Sequence, residues 1–350
     1  MARVFVAMSG GVDSSLAAAI LLEEGHDVTG VTMRLLGPEA EGQECCSADG
    51  ARSAKRVCDA LGIAHYTLEF TDVFSSEVVE PYVAEYAAGR TPNPCIACND
   101  RVKFGELWRR VMLQGADFLA TGHYARIAGG PDCAPRLARA VDSSKDQSYF
   151  LYRMTPAQMR HTLFPLGGMT KVEVRERAAE LRLPSARRAE SQDGCFVPVG
   201  GVRAFLRARC PDAFRAGPFV DGTGRVRGRH DGVPGITVGQ RRGLGLQQAE
   251  GLYVSGIVPA TSTVVLEERA KLLKSRVVAV DAVWSSDAGP LPVTVRTRYR
   301  GPEVPGVVRW QHGRLSVELT EALEAPAPGQ SLVCYEGDTV VGGGVIEEAA

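Results

Sequence analysis

The sequence predicts a protein of the α/β class, in which a parallel-sheet domain is followed by a small central domain and a C-terminal antiparallel β-barrel. Three observations predict this organisation. Apolar strands alternate with helical patterns from residue 3 to about residue 165. Residues 211–251 are rich in Gly, Pro and Arg, and short alternating runs separated by turn residues follow residue 276. We place the domain limits at 1–200, 201–275 and 276–350.

The N-terminal domain is predicted to contain a parallel sheet because its strands and helices alternate. Ligands bind at the carboxyl ends of the strands in such sheets, so the loops that follow the strands are the expected site. In chain order the predicted elements are the strand Arg3–Met8, the helix Asp13–Glu24, the strand Val28–Met33, the helix Ala48–Leu61, the strand His65–Phe70, the helices Ser75–Ala88 and Arg101–Leu113, and the strand Phe118–Gly122.

The C-terminal domain is predicted to be a barrel or sandwich from runs such as Val277–Val280 and Leu315–Leu319. A third run leads into Arg296, Arg298 and Arg300, whose period-two spacing would place them on one face of a strand. Such a face suits phosphate binding or plain solvent contact equally well.

The composition is that of an ordinary globular protein and limits the possible partners. No signal-peptide pattern precedes the first strand, and the longest apolar run, Leu16–Leu22, is far shorter than the roughly 20 residues that span a bilayer. We therefore expect a cytoplasmic monomer without membrane contact, in which most of the nine cysteines are thiols. Because the net charge is −1, any nucleic acid must be bound by a local patch.

The loop Ser9–Ser15 lies directly between the first strand and the first helix. Its two glycines allow backbone N–H groups to approach an anion, and the helix N-terminus adds partial positive charge. Asp13 can hold Mg²⁺ or cap the helix. Neither the G-x-x-x-x-G-K-[ST] of kinase-type loops nor the third glycine of a dinucleotide fingerprint is present. The alternative is an ordinary glycine turn with a capped helix.

Three cysteines lie in turn-like stretches. Cys95 and Cys98 belong to the stiff, Pro- and Asn-rich turn 91–99, and Cys195 follows another turn. Cys98 precedes a predicted helix that Asn99 can cap, and the positive end of that helix favours a thiolate. Sulfur transfer needs one thiol to carry the sulfur and a second to resolve it. The alternatives are inert thiols and a structural zinc site, which would need a fourth ligand.

Motifs along the whole chain resemble one family. The Ser9–Ser15 loop resembles the PP-loop of the ATP-pyrophosphatases, which have an adenine nucleotide α-hydrolase-like fold and release pyrophosphate from ATP. With the later motifs, the chain resembles the tRNA-specific 2-thiouridylase family (MnmA, also called TrmU). These motifs are 91–99 with Val102–Phe104, Ala120–Ala125, Lys145–Leu151, Ser191–Phe196, Pro234–Gly245, Arg298–Arg300, Pro328–Gln330 and Gly342–Ile346.

The resemblance implies an ATP- and Mg²⁺-dependent 2-thiolation of the wobble uridine in tRNAs for Glu, Gln and Lys. ATP would adenylate O2 of the uracil, and a persulfide on Cys195 would deliver sulfur to C2. Cys98 would resolve the persulfide through a transient disulfide with Cys195, and AMP and pyrophosphate would leave. The implied partners are tRNA and a sulfur-relay protein or cysteine desulfurase that donates the persulfide.

The resemblance also implies roles for individual residues, although Met33 and His123 would otherwise be interpreted as core residues. The residues expected to bind ATP are Ala7, Met8, Ser9, Gly10, Gly11, Val12, Asp13 and Ser14, with Met33 and Gly122 near the adenine. Those expected to contact tRNA are Asn93, Pro94 and Cys95 at the target base, and His123, Lys145, Asp146, Gln147, Tyr299, Arg300 and Gln330.

Cys95 departs from the family pattern, in which many members carry Asp. With Cys98 and Cys195 it provides three thiolates, so a [4Fe–4S] cluster with one open iron is an alternative to the persulfide. The adjacent Cys45 and Cys46 are expected in a loop or the core rather than in a metal pair. Two other functions remain open: an argininosuccinate-synthetase-like ligase, which would need no cysteines, and a non-enzymatic RNA-binding module, which would leave the loop unexplained.

Overall fold

The chain folds into two compact units in a computed structural model. The first unit consists of Met1–Val78, Cys95–Phe196 and Asp338–Val340, and the second of Val79–Pro94, Val197–Gly337 and Val341–Ala350. The structure describes residues 1–37, 48–129, 134–188, 195–198, 200–246, 251–285 and 290–350. Cys45, Cys46 and the motif residues Ser191–Gly194 lie outside these ranges.

The first unit is built on a five-stranded parallel sheet in the order β3-β2-β1-β4-β7, which confirms the predicted fold class. Strand β2 is buried along nearly its whole length, as is typical of a sheet covered on both faces. The strand Thr162–Leu163 escaped prediction because two residues carry no periodicity. The strands are β1 (Arg3–Ala7), β2 (Asp27–Arg34), β3 (Ala64–Glu69), β4 (Phe118–Thr121) and β7 (Thr162–Leu163), with a hairpin of β5 (Ala125–Ala128) and β6 (Arg136–Arg139).

The helices of this unit pack on the sheet through small and branched apolar residues. Val57 of one helix contacts the cluster of Val4 and Val6, while Leu16 and Val174 join two helices. Two long helical runs contain π-helical segments, Ser75–Val79 and Cys98–Leu107. The α-helices, including one at the start of the second unit, are α1 (Val12–Glu23), α2 (Ala48–Leu61), α3 (Thr71–Phe74), α4 (Glu80–Ala87), α5 (Pro94–Ala97), α6 (Trp108–Leu113), α7 (Ser148–Leu151), α8 (Pro156–Arg160) and α9 (Lys171–Glu180).

The second unit holds a small sheet and a closed antiparallel barrel. The sheet has the order β10-β11-β8-β9, and the barrel has the order β12-β15-β14-β13-β16-β17 with β17 pairing back onto β12. The bounds are α10 (Gly201–Arg209), β8 (Gly217–Asp221), β9 (Val226–His230), β10 (Leu252–Val258), β11 (Thr263–Glu268), β12 (Leu273–Trp284), β13 (Leu291–Arg296), β14 (Val304–Gln311), β15 (Arg314–Glu324), β16 (Ser331–Glu336) and β17 (Thr339–Ala349), with 3₁₀ turns at Pro211–Ala213, Pro259–Thr261 and Arg269–Leu272.

The barrel interior is apolar and confirms the predicted C-terminal β-barrel. Val277, Val295, Val317 and Leu332 are fully buried within it.

Of the described helices, none is long and apolar enough to cross a membrane.

Strand β17 begins in the first unit and continues into the barrel. The backbone N–H of Arg139 donates to the Asp338 carbonyl at 2.9 Å, and Thr339 pairs with Ala138. The side chains of Arg126 and Asp338 add an ion pair at 3.2 Å. The hairpin of β5 and β6 therefore completes its pairing with residues from near the end of the chain.

Candidate active site

The centre of the parallel sheet brings the loop after β1 beside the end of β4. Ala7 pairs with Thr121 in adjacent strands, so the residues that follow them, Met8 and Gly122, leave the sheet side by side. The strand order runs from β1 to β2 and β3 on one side and to β4 and β7 on the other. Such a switch point is where open α/β sheets bind ligands.

Close backbone contacts at two glycines shape the loop. Gly10 has φ +75°, and a Cβ atom there would lie 2.7 Å from the Gly50 carbonyl oxygen and from Ser53 Cβ. A Cβ atom at Gly122 would lie 2.7 Å from Asp13 C and Ser14 N. Both positions therefore require glycine, and Gly122 contacts the backbone of the loop itself.

Hydroxyl groups hold the loop in one shape. The Ser14 and Ser15 hydroxyls donate to the Gly11 carbonyl at 3.2 and 2.8 Å, and the backbone N–H of Ser9 donates to Ser14 Oγ at 3.2 Å. Gly11 is the N-cap of α1, and no side chain caps this helix. Its first N–H groups, which have no partner within a helix, are therefore available to an anion.

Side chains from two other segments of the first unit form hydrogen bonds with the loop. The Ser53 hydroxyl and the Arg188 guanidinium donate to the Gly10 carbonyl at 3.1 and 3.2 Å. Met33 is buried at the carboxyl end of β2, as either a core or an adenine-side residue would be.

Asp13 does not cap α1, so that part of the prediction is wrong. Its carboxylate oxygens Oδ1 and Oδ2 accept from Lys171 Nζ at 2.6 and 2.8 Å, and Oδ1 also accepts from the Tyr124 hydroxyl at 2.8 Å. Lys171 and Tyr124 were absent from the predicted site. The sequence did contain a signal for Lys171. The capping box of Thr170 and Glu173 places this lysine in the first turn of α9, where the helix dipole disfavours a cation, so a nearby anion is expected to compensate it.

The turn with two cysteines enters its helix earlier than predicted. The helical run begins at Pro94 rather than Arg101, because the fixed φ of proline suits the first position of a helix. Asn99 is therefore not a cap. Its side chain is 4% exposed, and its Oδ1 atom has no hydrogen-bond partner in the described part of the chain. Cys98 begins the π-helical segment, a type of element that is frequent at functional sites.

The thiols of Cys95, Cys98 and Cys195 are partly exposed in the first unit, and none is in a disulfide. The residue after Cys195, Phe196, packs its ring edge-on against Phe74, with centroids 5.7 Å apart. This contact fixes the chain beside Cys195 to the first unit.

Burial makes two other cysteines poor nucleophiles. Desolvation raises the pKa of Cys58 to about 11 and that of Cys334 to about 12. Both thiols are packed in the cores of their units, as expected of inert cysteines.

The three partly exposed thiols do not provide the ligand set of an iron–sulfur cluster. Across the described ranges, His, Cys, Asp and Glu side chains form no group of three that could hold a metal ion, and Cys95, Cys98 and Cys195 all lie within these ranges. The cluster alternative therefore finds no support in the geometry.

His123, a predicted tRNA contact, is a buried neutral imidazole. Its Nδ1 lies 2.7 Å from Thr121 Oγ1, and its ring lies about 6 Å from those of Phe104 and Phe164. Desolvation, followed by the charge of Lys103, lowers the pKa of His123 well below its usual value. The structure places it as a core residue, and its contact with RNA stays a prediction.

Asp146 organises the loop in which Lys145 and Gln147 also lie. It is 2% exposed and accepts hydrogen bonds from the backbone N–H groups of Ala140 and Ser148 and from the Ser148 hydroxyl. Gln147 Oε1 accepts from the backbone N–H of Tyr124 at 3.0 Å. These bonds fix the conformation of the loop, in which Lys145 is half-buried, and the contact of Lys145 with RNA stays a prediction.

Gln330 supports the turn that carries Asn93 and Pro94. Its Nε2 donates to the Thr91 carbonyl at 2.7 Å, and the Thr91 N–H donates to the Pro328 carbonyl at 2.8 Å. A Cβ atom at Gly329 would lie 2.8 Å from Thr91 N. All of these residues belong to the second unit, whereas Cys95 belongs to the first. The Pro328–Gln330 motif thus positions this turn.

The three arginines near residue 298 do not share a strand face, so that prediction is wrong. Strand β13 ends at Arg296, and Arg298 and Arg300 lie in the turn that follows. Arg296 is paired with Glu303, while Arg300 is exposed with its guanidinium over the Tyr299 ring.

Comparison with known proteins gives matches over nearly the whole chain. Residues 2–199 match a tRNA methyl transferase HUP domain, residues 203–268 a tRNA methyl transferase PRC-barrel domain, and residues 274–346 an aminomethyltransferase beta-barrel domain. The curated relatives include tRNA-specific 2-thiouridylases from several organisms. That of Chloroflexus aurantiacus is 48% identical over 99% of this chain and 98% of its own length. Those of Moorella thermoacetica and Heliobacterium modesticaldum are 45% and 46% identical, over 99% and 98% of this chain and 99% and 92% of their own lengths.

Proposed function

The chain belongs to the tRNA-specific 2-thiouridylase family, and from that membership we propose that it replaces O2 of a tRNA wobble uridine with sulfur at the expense of ATP. The tRNAs are those for Glu, Gln and Lys. One observation of the geometry supports this reaction. The uncapped N-terminus of α1, which suits a triphosphate, lies in the same compact unit as the partly exposed thiols of Cys98 and Cys195.

In the first half of the reaction, residues 7–14 bind ATP, with Met33 and Gly122 on the adenine side. The triphosphate, with its Mg²⁺, docks against the backbone N–H groups at the start of α1. The uracil O2 attacks the α-phosphorus, the bond to the β-phosphate breaks, and pyrophosphate leaves. The uridine O2 now carries AMP, which makes it a leaving group at C2.

In the second half, the terminal sulfur of a persulfide on Cys195 attacks C2, and AMP leaves with the original O2. The Cys98 thiolate then attacks the Sγ atom of Cys195 and breaks the bond to the transferred sulfur, so that the sulfur stays on the base. A Cys98–Cys195 disulfide results, and an external dithiol reduces it. A sulfur-relay protein or cysteine desulfurase reloads Cys195.

A second set of residues is assigned to the tRNA. Asn93, Pro94 and Cys95 face the target base, while His123, Lys145–Gln147, Tyr299, Arg300 and Gln330 contact the tRNA or position the segments that do. The small central domain 201–275 serves as the tRNA-binding domain between the PP-loop catalytic domain 1–200 and the C-terminal β-barrel domain 276–350.

Unmodified tRNA incubated with the enzyme, ATP, cysteine and a cysteine desulfurase tests this function. We expect mass spectrometry of the wobble nucleoside to show sulfur in place of oxygen, with stoichiometric AMP and pyrophosphate. Cys195→Ser and Cys98→Ser should release pyrophosphate but not complete thiolation, whereas Cys210→Ser, a matched thiol of the second unit, should behave as wild type. Unchanged tRNA in the wild-type reaction would refute the proposal and favour a PP-loop ligase, and full thiolation by Cys98→Ser would exclude Cys98 as the resolving thiol.

A further inference from the structure

The ATP loop carries a carboxylate where a polyanion is to bind. Asp13 is the second residue of α1, and its side chain is 33% exposed. Phosphate groups carry negative charge at neutral pH, so an uncompensated carboxylate at this helix end would repel them. A cation that neutralises Asp13 would remove this repulsion.

Lys171 is placed to supply that cation. Its ammonium group touches both carboxylate oxygens of Asp13, at 2.6 and 2.8 Å, and its side chain is only 11% exposed. The Tyr124 hydroxyl donates a third hydrogen bond to the same carboxylate at 2.8 Å. Because the Lys171 side of the pair is largely shielded from water, the attraction is stronger than that of a fully exposed ion pair.

The position of Lys171 is fixed by the start of α9. Thr170 and Glu173 form a capping box around it, and its backbone N–H donates to Asp142 Oδ2 at 2.9 Å. Val174, one turn further along α9, belongs to the same buried cluster as Leu16 of α1. A lysine in the first turn of a helix opposes the helix dipole, so its pairing with Asp13 is what makes this position favourable.

We propose that Lys171 is a positioning residue of the ATP loop. Its ammonium group holds the Asp13 carboxylate and neutralises it, so that the triphosphate reaches the N-terminus of α1 without facing an uncompensated anion. This inference rests on the proposed function, which supplies ATP as the ligand. The sequence motif that identifies the loop is then incomplete without a residue 158 positions further along the chain.

Calorimetric titration of the full-length chain with MgATP, together with steady-state pyrophosphate release on tRNA, tests the proposal. Lys171→Met should weaken ATP binding about thirtyfold, which is the cost of leaving one partner of a shielded charge pair alone. The KM for ATP should rise by a similar factor while kcat changes little, and Lys171→Arg should recover most of the loss. Arg177→Met is the matched control, because it removes a cation of the same helix that pairs with Glu23 and Glu180 instead.

The decisive comparison adds Asp13→Asn. If Lys171 acts by neutralising Asp13, then Lys171→Met should change ATP affinity less than about threefold in the Asp13→Asn background. An equal thirtyfold loss in both backgrounds would overturn the proposal, as would wild-type affinity of Lys171→Met or a loss confined to kcat. If Lys171→Met does not fold, Tyr124→Phe removes one donor to the same carboxylate and should weaken ATP binding severalfold. An unchanged affinity of Tyr124→Phe for ATP would then overturn the proposal.

The two proposals can fail separately. Wild-type protein that binds MgATP but never thiolates tRNA would refute the proposed function and leave the Lys171 comparison intact. If the wild type thiolates tRNA and Lys171→Met binds ATP with unaltered affinity, only the inference about Lys171 is refuted.

Discussion

Replacing Gly122 by alanine tests how closely the end of β4 supports the ATP loop. The new Cβ would lie 2.7 Å from Asp13 C and Ser14 N, whereas ordinary contact begins at 3.4 Å. The two backbones must therefore separate by about 0.7 Å, and neither contact is with a flexible side chain. Because φ of Gly122 lies outside the left-handed region, alanine adds no backbone strain, and the effect is purely steric.

A displacement of this size at the phosphate-binding end of α1 should cost 10- to 100-fold in kcat/KM, since misplacing reacting groups by about 1 Å costs about 100-fold. Overpacking should also lower the free energy of unfolding by about 1–3 kcal/mol. Pyrophosphate release at varied ATP and thermal unfolding measure the two effects. Gly168→Ala is the control, because its Cβ would meet nothing within 4 Å. Wild-type kcat/KM for Gly122→Ala would refute the reasoning.

Two further predictions concern residues assigned to tRNA. The pKa of His123 is lowered in the native state, so the native imidazole stays neutral while the unfolded one gains a proton below about pH 6.5. As the pH falls below 6.5, the free energy of unfolding of the wild type should therefore decrease by about 1.4 kcal/mol per pH unit more than that of His123→Gln. Equal slopes for the two proteins would contradict the burial of His123. Gln330→Ala removes the bond to the Thr91 carbonyl and should cost about 1 kcal/mol of unfolding free energy and raise the KM for tRNA. Gln311→Ala is the control, because Gln311 is exposed, and it should change the free energy of unfolding by less than about 0.5 kcal/mol. Equal effects of Gln330→Ala and Gln311→Ala would count against a role of Gln330 in supporting the turn.

The parallel sheet and its first loop could be predicted because their signals are local. Strand β1 lies in the continuous apolar run Val4–Met8, and Gly10 and Gly11 follow two residues after the strand ends, so the apolar pattern and turn chemistry were enough. The closed barrel followed in the same way from alternating runs between turns.

The parts that escaped prediction depend on partners distant in the chain. The carboxylate of Asp13 looks like a cap or a metal ligand until the fold brings Lys171 to it. Gln330 looks like a surface amide until Thr91 is placed beside it, 239 positions away. A local pattern can mark one member as unusual, as the capping box does for Lys171, but it does not encode the partner, because such pairs arise only when separate elements pack together.

The pairing of the hairpin β5–β6 with the start of β17 has a consequence for how the protein is made. Arg126 and its ion-pair partner Asp338 are 212 positions apart, so a ribosome has nearly finished the chain before the partner emerges. Domains usually fold as units, but the hairpin β5–β6 of the first unit gains its last paired segment only after residues 338–340 have been made. Long-range pairing of this kind slows folding. A chain that ended before residue 338 would therefore lack both the residues that pair with β6 in the first unit and the strand that closes the barrel in the second.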